Sequence, residues 1–362
     1  MRMLSIGSVS PKHGGKTEGG VAEIHSILST EFVKNPDLEI EIVGIIATNS
    51  DNREDPINEI PYFSNLPGET RLECIQRLVD SYNVECIFVH HIAHSWASAL
   101  SHMENPPMCI GYVHSLNAIN PINPNYKSKI ELLNQSKSAF DLLIFNSPNS
   151  FNRSLEMGIN FDCKIKILIP SVSQSFIDQP ISEKTQNNVI FVGRLDENKG
   201  IHKLILAIMS CESDLMLTIV GQGPLQPEVI HSIEGCKNKI NYIPYLESEE
   251  LAKIICKAAI LCVPSKYESF GLVYAEALCL GVPIIGFGPS IEFIEKELGL
   301  KCGVGIIEQS VQSISNAIQE ISNLNWDKIH VSNLAREKFH PLRQAKELSL
   351  ILHQIKTKRS GE

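Results

Sequence analysis

The stretch ILCVPSKYESFGLVYAEALCLGVPIIGFG, residues 260–288, decides the architecture. Two short apolar runs, ILCVPS (260–265) and VPIIGFG (282–288), flank a segment that reads as a helix from about Phe270 onward. Continuous Val/Ile/Leu runs, rather than alternating ones, suit parallel strands buried on both faces. A helix between two such strands is a βαβ unit.

Working outward, the same alternation covers almost the whole chain. Runs at 188–194, 215–221, 240–246 and 303–307 complete one series around this stretch. A separate series precedes it, at 3–9, 39–48, 86–92, 109–115, 142–147 and 164–170. Between the two lies SVSQSFIDQPISEKTQN (171–187), polar and without periodicity, which reads as an interdomain linker. The expected fold is α/β, two Rossmann-like domains with doubly wound parallel sheets facing a central cleft. The segment PLRQAKELSLILHQIK from Pro341 reads as a terminal helix.

Composition narrows the classes. The 362 residues suffice for two domains, and 43% hydrophobic with 20% charged residues is globular. Formal net charge is -9, with acidic residues in excess in both halves, so a nucleic-acid binder is disfavoured. An anionic small ligand must then be held by a local cluster. The opening MRMLSIGSVSPKHGG reads as a first strand rather than a signal peptide, and no apolar run is long enough to span a bilayer. Ten cysteines without a C-x-x-C pair suit a reducing, cytoplasmic setting.

Four segments carry candidate chemistry. In the opening stretch, Glu268 lies in the loop after one strand and Glu276 lies on the helix that follows. Both can face the space beyond the strand's carboxyl end, where open α/β sheets bind ligands. The backbone N–H groups near Phe270, Gly271 and Leu272 open the helix and suit a phosphate. In VGRLDENKG (192–200), Arg194 offers a planar fork and Lys199 a point charge to one diphosphate. In GGKTEGGVAEIHSIL (14–28), Gly19 and Gly20 precede a helix, but the spacing is neither a Walker A nor a clean G-x-G-x-x-G. His114 ends the strand CIGYVHS (109–115).

Together these segments resemble the retaining GT-B glycosyltransferases of glycosyltransferase family 4. The resemblance rests on Glu268, Phe270, Gly271, Glu276, Ala277, Gly281 and Pro283, with VGRLDENKG and the glycine loop at family-like positions. It implies a GT-B architecture, with an N-terminal acceptor domain over 1–172, onto which helix 341–362 packs back, and a donor domain over 173–340. It further implies a nucleotide-diphospho-sugar donor, with Arg194, Lys199 and the helix start on the diphosphate and Glu276 on the ribose. Glu268 and His114 are then the catalytic pair beside the sugar, and the loop of Gly19 and Gly20 closes over the donor. No cofactor and no metal are expected, and no D-x-D occurs in the sequence. The implied acceptor is a saccharide or lipid-linked saccharide of a bacterial surface polysaccharide.

Two departures stand out. Ser171, Val172 and Ser173 replace the family's N-G-V, and Pro289-Ser290 replaces its Gly-Gly. Plainer readings compete elsewhere. His90 and His94 have the spacing of a helical zinc pair but no obvious third ligand, and lining the acceptor side suits them better. Lys127, Lys129 and Lys137 make a candidate contact with the inner membrane face, although a solvated helix face is the commoner role. The alternatives in function are a nucleotide-sugar epimerase of GT-B fold and a non-catalytic nucleotide-sugar-binding subunit.

Overall fold

A computed structural model of the chain describes every residue except 10–12, 14–18, 49–55, 115–124, 182–186, 212–214, 237–238, 322, 325 and 362. The chain divides into two compact units, Met1–Ser171 with Pro341–Glu362, and Val172–His340. No helix among the described residues is long and apolar enough to cross a membrane.

In the first unit, β1 (Arg2–Gly7) leads through α1 (Gly20–Lys34) to β2 (Glu41–Ala47) and the short β3 (Tyr62–Phe63). Next come α2 (Arg71–Tyr82), β4 (Cys86–His90), α3 (Ser95–Leu100), β5 (Met108–Val113) and α4 (Tyr126–Ser136). Then β6 (Leu142–Phe145), α5 (Pro148–Glu156) and β7 (Lys164–Ile167) complete the sheet. Its order is β3-β2-β1-β4-β5-β6-β7, and every pairing is parallel. The inner strands β4, β5 and β6 are buried along their whole length, which is why their sequences are unbroken apolar runs. At the edge, β7 reads KIKI, and its exposed lysines discourage a further strand from pairing.

The second unit opens with α6 (Gln174–Asp178), followed by β8 (Asn188–Val192), α7 (Ile201–Ser210), β9 (Met216–Val220) and α8 (Gln226–Ile233). The chain continues through β10 (Ile240–Ile243), α9 (Ser248–Ile255), β11 (Ile260–Val263), α10 (Leu272–Cys279) and β12 (Ile284–Phe287). It ends with α11 (Gly288–Leu298), β13 (Gly303–Ile306), α12 (Val311–Ile321) and α13 (Lys328–Lys338). Its sheet order is β10-β9-β8-β11-β12-β13, again all parallel. The final helix, α14 (Pro341–Ser360), belongs to the first unit. There the Ser349 hydroxyl donates to the Leu38 carbonyl at 2.7 Å, and Arg359 pairs with Asp141 at 3.1 Å.

Each sheet reverses its strand order once, between β1 and β4 in the first and between β8 and β11 in the second. Open α/β sheets bind ligands beyond the strand ends at such a reversal. The residues following those four strands therefore occupy the ligand-binding end of each sheet.

Two expectations change. The polar stretch 171–187 is not a plain linker over its described part. It folds as α6 around the buried Phe176, Val172 N–H donates to Phe339 at 3.0 Å, and Ser171 is buried against Gln344. Residues 182–186 of that stretch lie outside the described residues. The opening-stretch helix starts at Leu272 rather than Phe270, with Gly271 ahead of it in the left-handed region at φ 87°.

Candidate active site

In the second unit, the loops after β8 and β11 meet at the strand-order reversal. Lys199, on the first loop, forms an ion pair with Glu268, on the second. The Ser265 hydroxyl donates to the same Glu268 oxygen at 2.7 Å. A backbone framework holds the two loops together: Asn198 Nδ2 donates to the Tyr267 carbonyl at 2.9 Å, and Lys266 N–H donates to the Asn198 carbonyl at 2.8 Å. Gln309 ties both, donating to Pro264 at 2.6 Å and to Asn198 at 3.0 Å. Arg194 is 68% exposed and lies 3.6 Å from Asp196. The structure thus gives an inner Lys199–Glu268 pair and an outer, solvent-facing Arg194.

The strand-end loop GQG (221–223) runs against residues 193–195, with Gly193 N–H bonded to Val220 and Leu195 N–H bonded to Gln222. A Cβ on Gly221 would lie 2.0 Å from the Gly193 carbonyl oxygen, so only glycine permits this approach. That contact fixes where the Arg194 loop leaves its strand.

On the other side of the loop, α10 carries Glu276 on its second turn, half-buried. The Phe270 ring is buried and packs edge-on against Phe293 and Phe339, so its side chain is a core residue and only its backbone can face a ligand. The departing Pro289-Ser290 pair lies in the first turn of α11, and the Ser290 hydroxyl reaches the Glu268 carbonyl at 3.5 Å.

In the first unit, Gly19 and Gly20 are exposed at the start of α1, Gly19 with φ 151°. Residues 14–18 of their loop lie outside the described residues. His114 follows β5 and is buried, with its Nε2 3.0 Å from Nδ1 of His90, the last residue of β4. Burial holds both imidazoles well below their ordinary pKa, with neighbouring histidines pushing the same way. His90 and His94 do not converge on a metal. Nδ1 of His90 faces His114, whereas Nδ1 of His94 accepts the Ala97 N–H at 3.0 Å and caps α3. Among the described residues no group of three His, Cys, Asp or Glu side chains is placed to hold a metal. Lys127 and Lys129 lie on α4, and Lys137 follows it.

Residues 173–337, nearly the whole second unit, match the family Glycosyl transferases group 1. The second unit is a glycosyl transferases group 1 domain. An uncharacterized 41.2 kDa protein from the cps region of Klebsiella pneumoniae is 32% identical over 155 residues, covering 40% of this chain and 42% of that protein. The chain thus spans less than half the length of that relative. Among solved structures, Anabaena HepE in complex with UDP aligns with a TM-score of 0.71 at 16% identity, over 98% of this chain and 100% of that one. The lipopolysaccharide outer core galactosyltransferase WaaB aligns equally well, with a TM-score of 0.71 at 15% identity over 98% and 100%. The chain therefore shares the two-domain GT-B fold.

Several residues of the glycosyltransferase domain and of its companion unit were not singled out by their sequence. Ser265, Asn198 and Gln309 frame the Lys199–Glu268 pair, yet each is a common polar residue without a spacing signal. His25, in the first unit, stacks on His90 at 4.2 Å, and its position within the helical stretch carries no spacing signal.

Proposed function

We propose that the protein is a retaining glycosyltransferase that moves a sugar from a nucleotide-diphospho-sugar to an acceptor hydroxyl. The observation that carries this reading is the placement of Arg194, Lys199 and Glu268 at the strand-order reversal of the group 1 domain. In this reading Arg194, Lys199 and the backbone at Phe270, Gly271 and Leu272 take the diphosphate, and Glu276 takes the ribose. Lys199 exchanges part of its pairing with Glu268 for the phosphate, which frees Glu268 to accept from sugar hydroxyls. The bond from the anomeric carbon to the phosphate oxygen breaks as the bond to the acceptor oxygen forms, and the acceptor's proton passes to the departing phosphate. Negative charge grows on that phosphate, so cations fixed there lower the barrier, each such group being worth about 10²–10³ in rate. No metal is invoked, because the two side-chain cations supply the neutralisation.

On the first unit, His114 addresses the saccharide, and Gly19 and Gly20 present the amino end of α1. The UDP held by HepE supports a nucleotide donor, and the cps-region relative together with WaaB supports a surface-polysaccharide acceptor. Lipid linkage and contact with the membrane face through Lys127, Lys129 and Lys137 belong to the same proposal.

The test is thermal stabilisation of the full chain by UDP, GDP, ADP and their sugars, without added metal, beside Arg194→Ala and Glu276→Ala. A ligand that binds only the folded state raises Tm by mass action. The reading expects one nucleotide to stabilise the wild type and both variants to lose that effect. No stabilisation by any nucleotide, with or without Mg²⁺, refutes it. Acceptor-dependent release of the nucleoside diphosphate then separates transfer from epimerisation or simple binding.

A further inference from the structure

The carboxyl end of the first sheet holds three buried imidazoles, drawn from three places in the chain: His25 on α1, His90 at the end of β4 and His114 after β5. His25 is locked at both nitrogens. Its Nδ1 lies 3.0 Å from the Ser8 carbonyl, which can only accept, so Nδ1 carries the proton. Burial lowers its pKa to about 4, so the ring is neutral and Nε2 accepts from the Ser5 hydroxyl at 2.8 Å. His90 stacks on this fixed ring at 4.2 Å and meets Phe88 edge-on. A Cβ on Gly7 would come within 2.8 Å of both His25 Nδ1 and His90 Cβ, so the end of β1 is shaped to admit the two rings.

Several described residues hold His114. Its ring lies 10° from the plane of His90, bonded Nδ1 to Nε2 at 3.0 Å, and 4.0 Å from the Tyr112 ring. Its carbonyl accepts from Asn146 at 2.7 Å, and Asn146 is itself fixed by the Ser150 hydroxyl at 2.8 Å. Tyr112 is anchored by Leu168 and Gln344, both at 3.0 Å. The bond to His90 consumes Nε2, which leaves Nδ1 as the remaining polar atom of the ring. In a neutral imidazole the two nitrogens take opposite roles, so whatever fixes Nε2 also fixes Nδ1.

We propose that His90 is a positioning residue: its hydrogen bond holds the ring plane of His114 and couples the tautomers of the two rings, one donating as the other accepts, and the pair rests in one of those two arrangements, so that Nδ1 of His114 offers the saccharide a single role. A core built for packing alone would use phenylalanine or leucine here, because burying three imidazoles costs solvation that only specific hydrogen bonds return. The saccharide enters only through the function proposed above. The part played by His90 stands on the geometry, and the two can fail separately.

The test is the ¹⁵N spectrum of the histidine rings in the full chain at neutral pH, with His114 assigned by its loss in His114→Asn. The wild type is expected to give His114 one protonated and one unprotonated nitrogen, the pattern of a single tautomer. His90→Phe keeps the ring stack and removes the bond, so the two His114 lines should move together to averaged positions. His90→Asn places an amide where Nδ1 was and should restore the separated pair. Averaged lines in the wild type overturn the proposal, and so does an unchanged pair in folded His90→Phe. Should His90→Phe fail to fold, the wild-type spectrum and the His90→Asn spectrum decide.

Discussion

Lowering the pH from 7 to 5 should destabilise the first unit selectively. Its buried imidazoles are neutral when folded, and His25 is held at about 4 against an ordinary 6.5. Between those values the unfolded chain binds a proton that the folded chain does not. Stability therefore rises with pH across this window, is complete above about 6.5 and is lost as pH falls toward 4. For His25 alone, linkage from pH 7 to pH 5 gives a loss of about 2 kcal/mol. His90 and His114 are pushed lower by burial and act in the same direction. A loss of several kcal/mol is a large part of the 5–15 kcal/mol that holds a typical domain folded.

The two tryptophans allow each unit to be read alone, since Trp96 lies on α3 of the first and Trp326 lies in the second. Urea unfolding of Trp326→Phe, followed by Trp96 fluorescence at both pH values, reports the first unit. Trp96→Phe with Trp326 reports the second, where no histidine is among the buried polar residues that the structure describes. The expected result is a drop of at least about 2 kcal/mol in the first unit and a much smaller change in the second. Equal stability of the first unit at the two pH values would show that these rings are not neutral and buried as described.

Other perturbations separate the site from its scaffold. Lys199→Ala removes a charged partner of the proposed diphosphate and should weaken nucleoside diphosphate binding at least about tenfold, as charge-assisted hydrogen bonds predict; calorimetric titration showing unchanged affinity would exclude Lys199 from the clamp. Gly221→Ala forces a Cβ onto the Gly193 carbonyl and should cost about 2 kcal/mol or more in chemical denaturation, because the atoms it meets are backbone and not a flexible side-chain end. Lys356→Ala, which breaks an ion pair with a Glu85 that is 38% exposed, should change stability by less than about 1 kcal/mol. A larger loss would mean that α14 depends on that pair rather than on its buried Ala345, Leu348 and Leu352.

Local sequence carries the α/β class because the physics behind it is local. A strand buried on both faces must be apolar at every position, so β4, β5, β6 and β11 are visible as unbroken runs. A two-residue strand such as β3 has no run to show, and α6 buries one phenylalanine, too little for a period to emerge. The site is legible in part: Arg194, Lys199, Glu268 and Glu276 have the residue types and spacings that phosphate and ribose chemistry asks for.

What each of those side chains touches was settled by strand order. Lys199 and Glu268 pair across 69 positions of sequence because β8 and β11 are neighbours in the sheet, although β9 and β10 lie between them in the chain. Likewise, His90 and His114 are brought together by the adjacency of β4 and β5, and His25 by α1 packing on β1, the strand beside β4. Periodicity reports only which face of an element is buried. Which neighbour it is buried against depends on how the whole sheet assembles, and that is where the ion pair and the imidazole stack come from.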